Sequence, residues 1–153
     1  ATGIGIVSGR GSKIDSYSLG CIHTTKSTPL PGRLDKIFSK LQQLLSSENP
    51  DLMVIEDVYS LSRYPKSGII LGQVTGVIQL AGFHANISVI EVPVREAKQI
   101  LTGNGNASKA QLEKAVRHRL NHKTRIKPVH ASDAMGLALI GLYRYQDGLG
   151  AGK

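Results

Sequence analysis

Residues 2–22, TGIGIVSGRGSKIDSYSLGCI, place two strand-like runs on either side of a stretch rich in turn residues. TGIGIV alternates as a strand does, SGRGSK supplies glycine and serine for a turn, and IDSYSLGCI resumes the strand pattern. The sequence therefore predicts an antiparallel hairpin over residues 2–23.

Helices and strands alternate along the rest of the chain. After the hairpin, the apolar spacing predicts a helix that starts near Pro31 and a short apolar strand within NPDLMVIEDV. The predicted elements that follow are a mostly apolar helix over 67–83, a strand over 85–92, a short helix over 93–101, a helix over 108–120 and a last helix that begins near residue 130. This order predicts an α/β fold in which a mixed sheet carries helices on both faces.

Length and composition indicate one domain. With 153 residues, of which 41% are hydrophobic, the chain can bury a core of ordinary size. We expect residues 1–145 to form this domain and residues 146–153, which have no apolar pattern, to form a flexible tail. The apolar runs are shorter than the roughly eighteen residues of a membrane span. A single cysteine and the lack of a targeting segment favour the cytoplasm.

Positive charge is concentrated in one part of the chain. The formal net charge is +8. Nine basic residues lie between positions 95 and 127, against two glutamates: Arg95, Lys98, Lys109, Lys114, Arg117, Arg119, Lys123, Arg125 and Lys127. Such a concentration suits the phosphates of a nucleic acid, because each neutralised phosphate releases counterions. Charge alone does not distinguish nucleic-acid binding from a basic face that only keeps the protein soluble.

A carboxylate ends the apolar strand MVIEDV. Glu56 stands at the carboxyl end of this strand, the place where ligand crevices are common in α/β sheets. Asp57 should point to the opposite face, because side chains alternate along a strand. A solvated strand end is the simpler alternative for this pair of acids.

The stretch HASDAMGLALI, residues 130–140, places an imidazole and a carboxylate at the start of a helix. His130 and Asp133 are three residues apart, so they should project side by side from the first turn. The predicted buried face comprises Ala134, Leu137, Ala138 and Leu142. Together with Glu56, the two side chains form an oxygen and nitrogen ligand set that suits Mg²⁺ or Mn²⁺ and metal-assisted phosphodiester hydrolysis. Alternatively, His130 caps the helix and Asp133 interacts with its dipole.

Eight short strings follow one another along the chain: TGIGIV, GCIHT, PGRLDKIF, VIEDVY, LGQVTGV, VREAKQ, TGNGNASKAQ and HASDAMGLALI. In this order, and at nearly this spacing, they resemble the RuvC family of bacterial Holliday-junction resolvases. The resemblance implies an RNase H-like fold, a homodimer, and a Mg²⁺-dependent endonuclease that nicks two strands of a four-way DNA junction symmetrically in recombination and repair. It also implies Mn²⁺ as a substitute metal and a branch-migration partner of the RuvA and RuvB type.

The resemblance extends to individual site residues. Glu56 and Asp133 match two of the four metal-binding positions of the family, and His130 falls where many members have Asp and some have His. A histidine there could bind metal or act as the base for the attacking water. Tyr59 matches the family's aromatic position in the substrate loop, with a partly buried loop aromatic as the alternative, and Arg63 and Lys66 lie in the same loop as further DNA-binding candidates. Lys98 and Lys109 match basic positions that resemble phosphate clamps.

Three glycines at intervals of four, Gly68, Gly72 and Gly76, match the dimer-contact helix of the family. Packing of this helix against the protein's own sheet is the competing explanation. Ser108 or Asn106 is expected to cap the helix that carries Lys109.

One family feature has no match. Family members open with a strand that ends in GIDPG, whose Asp is the fourth metal position, only a few residues before TGIGIV. The sequence begins at Ala1, and neither Asp15 in the hairpin nor Asp35 in the first helix fits this position. We expect the strand to precede Ala1. Without it, a junction-binding module that does not cut is an alternative. Another RNase H-like nuclease and a structural protein with a basic face are further alternatives that do not depend on this strand.

Overall fold

The computed structural model describes residues 1–57 and 65–145, with side chains from residue 68 onward in the second range. Its elements are β1 (Thr2–Arg10), β2 (Lys13–Ile22), α1 (Leu30–Glu48), β3 (Leu52–Glu56), α2 (Pro65–His84), β4 (Ser88–Val92), α3 (Val94–Thr102), α4 (Lys109–Arg119) and α5 (Val129–Tyr145). Their order confirms the predicted alternation, and each boundary lies within a few residues of its predicted place.

Strands β1 and β2 form the predicted antiparallel hairpin. The pairing runs from Thr2 opposite Ile22 to Arg10 opposite Lys13, with a shift of register between Ser8 and Gly9. A bulge of this kind bends the strand and increases its twist.

Strands β3 and β4 pair in parallel, with α2 as the crossover between them. Leu52 lies opposite Ser88 and Glu56 lies opposite Val92, so the acid stands at the carboxyl end of the pair. Within the described ranges, no strand pairs with both β1 and β3, and the strands form two two-stranded sheets. The antiparallel pair β1/β2 and the parallel pair β3/β4 are the two kinds of pairing that a mixed sheet contains. One continuous sheet would need a further strand between β1 and β3.

Helices cover both faces of the strands. Helices α3, α4 and α5 pack on one side, where Val54 contacts their apolar cluster. Helices α1 and α2 pack on the other side, where Met53 contacts a second cluster around Ile37 and Leu41. Neighbouring residues of β3 thus serve opposite layers, as the alternation of side chains along a strand requires. This arrangement confirms the prediction of helices on both faces.

Helix α5 is enclosed on most of its sides. Met135, Leu139 and Ile140 have no exposed side-chain surface, and Ser132 is equally buried. The predicted buried face was therefore wrong in part: of its four residues only Leu137 is buried, whereas Ala134, Ala138 and Leu142 are partly exposed. The reason is that α5 contacts both strands of the hairpin, β3, α3 and α4 at once, so a single apolar stripe does not describe it.

The backbone of β1 lies directly against the first two turns of α5. A Cβ atom at Gly5 would lie 2.6 Å from the Cα of Met135, and one at Gly3 would overlap the carbonyl oxygen of His130. Only glycine permits this approach. The hairpin thereby fixes the part of α5 that carries His130 and Asp133.

In residues 1–57 and 65–145, no helix has the length and apolar character that crossing a lipid bilayer demands.

Candidate active site

Glu56 lies half-buried at the end of β3, within the electrostatic reach of two other acids and two lysines. Burial raises the pKa of its carboxyl above the ordinary value, and the negative charges of Asp133 and Asp57 raise that pKa further. The positive charges of Lys109 and Lys98 oppose this change. We call Glu56 and Asp133 the carboxylate cluster; Lys109 and Lys98 place positive charge near it.

Asp133 is the second acid of this cluster. One carboxylate oxygen, Oδ2, lies 3.6 Å from the Nζ of Lys109, and the side chain is 19% exposed. The other oxygen, Oδ1, is buried and has no hydrogen-bond partner. A buried anionic oxygen without a partner is costly, and a cation bound beside it would remove that cost. The donor set of Glu56 and Asp133 consequently fits a hard divalent cation, which prefers carboxylate oxygens.

The N-terminus of α4 places Lys109 beside Asp133. The Oγ of Ser108 accepts a hydrogen bond from the backbone N–H of Gln111 at 3.2 Å, and the Oε1 of Gln111 accepts one from the N–H of Ser108 at 2.7 Å. This capping box confirms Ser108 as the predicted cap and fixes where the helix begins. Lys109 is the first residue of the helix and keeps two thirds of its side chain exposed, so the same ammonium can reach a ligand in solvent.

His130 lies exposed in the first turn of α5. The described residues hold no group of three or more His, Cys, Asp or Glu side chains arranged to bind a metal ion. The structure thus brings Glu56 and Asp133 together but does not join His130 to them in a three-ligand cluster. Metal binding by His130 stays a prediction, as does its role as a base.

The predicted DNA-binding residues fall into two groups. Lys98 and Lys109 lie within electrostatic reach of Glu56, since the charges of both lower its pKa, and Lys109 also pairs with Asp133. Tyr59 and Arg63 lie outside the described residues, and of Lys66 only the backbone is described, within α2. Contact of these three with DNA stays a prediction.

Three glycines of α2 have no close neighbours among the described residues. A Cβ atom at Gly68, Gly72 or Gly76 would meet nothing there within 4 Å. The helix does pack on β3 and β4, but on another face, where a Cβ at Gly82 would meet Val89. The exposed surface of α2 also carries Phe83, which is 76% exposed, and Ile69, which is 65% exposed. A second copy of the chain could therefore approach this apolar face closely.

Sequence reasoning missed the role of the hairpin in placing the acids. Gly3 and Gly5 stand two apart on one face of β1, and this spacing was the available sign of a close backbone approach. It also missed the contact between Lys109 and Asp133, which joins residues that are distant along the chain.

Comparison with known proteins agrees with this arrangement. The model of the family described as "Crossover junction endodeoxyribonuclease RuvC" matches residues 1–141. The chain belongs to the RuvC family. It is 33% identical to RuvC of Rhodopirellula baltica over 142 residues, which cover 93% of this chain and 80% of that protein. It is 34% identical to RuvC of Prosthecochloris aestuarii over 141 residues, which cover 92% and 75%.

Two solved RuvC structures share the fold. Thermus thermophilus RuvC superposes with a TM-score of 0.76 at 23% identity, over 96% of this chain and 88% of its own. The same protein in complex with a Holliday junction substrate gives a TM-score of 0.79 at 24% identity, over 95% and 88%. The predicted RNase H-like fold of the RuvC family is thereby confirmed.

Proposed function

We propose that this RuvC-family chain is a structure-selective endonuclease that resolves four-way DNA junctions by metal-dependent phosphodiester hydrolysis. The observation that carries the proposal is the cluster of two partly buried carboxylates, Glu56 and Asp133, with Lys98 and Lys109 beside them. The names of the similar proteins support the junction as substrate, and so does the junction bound to one solved relative. The products we expect are symmetric paired nicks, as recombination and repair require.

Members of the RuvC family are metal-dependent nucleases, and we propose Mg²⁺ as the metal here, with Mn²⁺ as a substitute. Glu56 and Asp133 would hold it through their carboxylate oxygens, and the unpartnered Oδ1 of Asp133 supports this assignment. A bound divalent cation would activate a water and offset charge on the phosphate. His130, at the edge of the same helix turn, is the proposed further ligand or base.

The chain's own cations would orient the substrate. Lys109 and Lys98 place positive charge around the carboxylates, which by themselves would repel the phosphodiester. The ammonium of Lys109 can leave the carboxylate of Asp133 and pair with a phosphate oxygen, because most of the lysine side chain is exposed. His130, when neutral, would accept a proton from the attacking water.

Symmetric nicking requires two sites, and we propose a homodimer that supplies them. The exposed glycine face of α2 supports it, since a two-fold interface uses the same patch on both copies. Tyr59, Arg63 and Lys66 are the proposed contacts to the unpaired region of the junction, where a ring can stack on a base. A motor of the RuvA and RuvB type is the proposed protein partner.

A junction-cutting assay tests the proposal. The protein, with any residues that precede Ala1 in the natural chain, is incubated with a mobile four-way junction and Mg²⁺. We expect paired nicks in opposite strands, and no comparable cutting of linear duplex or of an RNA–DNA hybrid. Equal cutting of the hybrid would indicate another RNase H-like activity instead.

A second candidate is a module that binds junctions without cutting them. The lack of a three-ligand cluster among the described residues favours it. Tight junction binding with no nicks in either Mg²⁺ or Mn²⁺ would support this second function over the first.

A further inference from the structure

Three exposed cations project from the connection between α4 and α5. We call residues 121–127, NHKTRIK, the basic loop; it contains Lys123, Arg125 and Lys127 and no acid. All three side chains are exposed. None of them forms an ion pair with any residue in the described part of the chain. The basic loop is therefore a concentration of positive charge that no acid of the described residues neutralises by an ion pair.

The middle of the basic loop is anchored in the core. Ile126 is 3% exposed and belongs to the apolar cluster of α3, α4 and α5. Its backbone N–H donates to the Oε1 of Glu113 at 2.9 Å, and the Glu113 side chain also pairs with Arg117 at 3.2 Å. Glu113 is 6% exposed, so a buried carboxylate holds the loop through a charge-assisted hydrogen bond. The flanking cations are thus carried on a fixed backbone.

The start of the basic loop is anchored to the hairpin. The Nδ1 of His122 is hydrogen bonded to the hydroxyl of Tyr17 at 2.8 Å, and the two rings meet edge to face. The Nε2 of the same imidazole lies 3.3 Å from the Oγ1 of Thr124. The backbone N–H of His122 donates to the carbonyl of Arg117 at 2.9 Å. These contacts order the loop before any ligand arrives, which lowers the entropy cost of binding.

The basic loop lies at the opposite end of α4 from Lys109. This helix has 11 residues, which at about 1.5 Å per residue separate its ends by about 16 Å. Along a DNA duplex that distance corresponds to about five base pairs at roughly 3.4 Å each. A duplex arm whose cut site lies at the carboxylates is therefore long enough to reach the loop.

We propose that the basic loop binds phosphates of a duplex arm of the junction, about half a helical turn from the cut. This inference rests on the proposed function and adds a second DNA-binding surface to it. The proposed contacts are to phosphates, which carry no sequence information directly, so the loop would position the arm and not read its bases. It would hold the arm while Lys98 and Lys109 engage the phosphates at the site.

The test compares two triple variants with the same loss of charge. The loop variant is Lys123→Ala/Arg125→Ala/Lys127→Ala, and the control is Lys26→Ala/Lys36→Ala/Lys40→Ala, whose exposed lysines lie before and within α1. Junction affinity is measured across a range of salt concentrations. In a plot of log binding constant against log salt concentration, each lost phosphate contact should lower the steepness of the slope by about 0.9. The slope of the loop variant should therefore be lower by up to about 2.7, and that of the control by much less.

Neutral linkages in the DNA locate the contact. Methylphosphonates replace the phosphates about four to six base pairs from the crossover in each arm, the distance set by the length of α4. They should weaken binding by the wild type and leave the loop variant nearly unaffected, because its partner cations are already gone. Unmodified arms and neutral linkages at the arm ends are the matched DNA controls.

Two results would overturn the inference alone. With a wild type that binds and cuts junctions, equal salt slopes for the loop and control variants would make the basic loop a merely solubilising face. Equal weakening of the wild type and the loop variant by the neutral linkages would place the contact elsewhere. A wild type without preference for junctions would instead remove the proposed function together with the inference.

Discussion

At the N-terminal end of α4, Lys109 lies 3.6 Å from the carboxylate of Asp133. Beyond the C-terminal end, Lys123 and its basic neighbours in the loop are exposed and form no ion pair with residues 1–57 or 65–145. The N-terminal end, which we call the acidic end, combines the carboxylates of Glu56 and Asp133 with nearby lysines in a partly buried place. The C-terminal end, which we call the basic end, presents only positive charge to solvent. Paired charges of this kind suit chemistry on a phosphodiester, and unpaired cations suit its capture from solution. One short helix thus separates the two tasks.

The largest effect on DNA cutting is expected at the acidic end. Asp133→Asn keeps the shape of the side chain and removes its charge. We expect junction cutting to fall by about 1,000-fold or more, because metal-assisted charge stabilisation is worth several kcal/mol. Junction affinity should stay the same or improve, since a negative charge beside DNA has gone. Unchanged single-turnover cutting by this variant would refute the role of the acidic end.

Single lysine substitutions at the two ends of α4 should affect cutting and binding differently. Lys109→Ala should lower cutting at saturating DNA by about 100-fold, the typical cost of losing one positioned charge-stabilising group. Lys123→Ala, the matched control, should leave cutting at saturating DNA unchanged and weaken junction binding by about twofold to threefold. Similar effects of the two substitutions on both quantities would mean that the ends of α4 share one role.

The position of the acidic end depends on the contact between β1 and α5. Gly5→Ala should lower the free energy of unfolding by about 1–3 kcal/mol, because the added methyl group would meet the backbone of Met135. Gly20→Ala in the same hairpin is the matched control, since its Cβ would make only an ordinary contact of 3.9 Å with Ile4. Chemical denaturation of both variants measures the difference, and equal stabilities would contradict the close approach.

Charge at the acidic end should also affect stability in metal-free buffer. The pKa of Glu56 is raised by burial first and then by Asp133, so the folded state favours the protonated carboxyl. The protonated Glu56 carboxyl therefore contributes to the free energy of unfolding. This contribution is fully present below the ordinary pKa of 4.5 and is lost as pH rises through the pKa of the folded state. Glu56→Gln should therefore be more stable than the wild type at neutral pH, with the gain disappearing in acid.

The same exchange on an exposed part of α1, Glu48→Gln, is the control for the substitution itself. Unfolding curves of the three proteins from acid to neutral pH give the comparison. A Glu56→Gln variant that loses stability as pH rises relative to the wild type would reverse the expected sign.

Local patterns predicted the elements of the acidic end and the positive charge of the basic one, but not the contacts that hold the basic loop. The strand end at Glu56 and the helix start near residue 130 each depend on a few neighbouring residues and were predicted correctly, and Ser108 was one of two predicted caps. The link between Tyr17 and His122 joins positions 105 residues apart, and periodicity contains no information about such a contact. The same limit explains the incomplete prediction for α5, whose burial results from five different elements: β1, β2, β3, α3 and α4.

The strands show a further limit of local reasoning. Alternation and turn residues predicted the hairpin and the strand before Glu56, because both are local. Whether β1 and β3 join one sheet depends on which strand lies between them, and in the described ranges no strand does.

The most direct test of the account is Mn²⁺ binding to the DNA-free protein, followed by the loss of the free-ion EPR signal. The central claim is that Glu56 and Asp133 jointly hold a divalent cation at the N-terminal end of α4. Glu56→Gln and Asp133→Asn should each remove most of the binding, and the double variant should lose little more, because residues that share one ligand are not additive. Binding that equals the wild type in either single variant, or losses that add, would contradict a shared metal site.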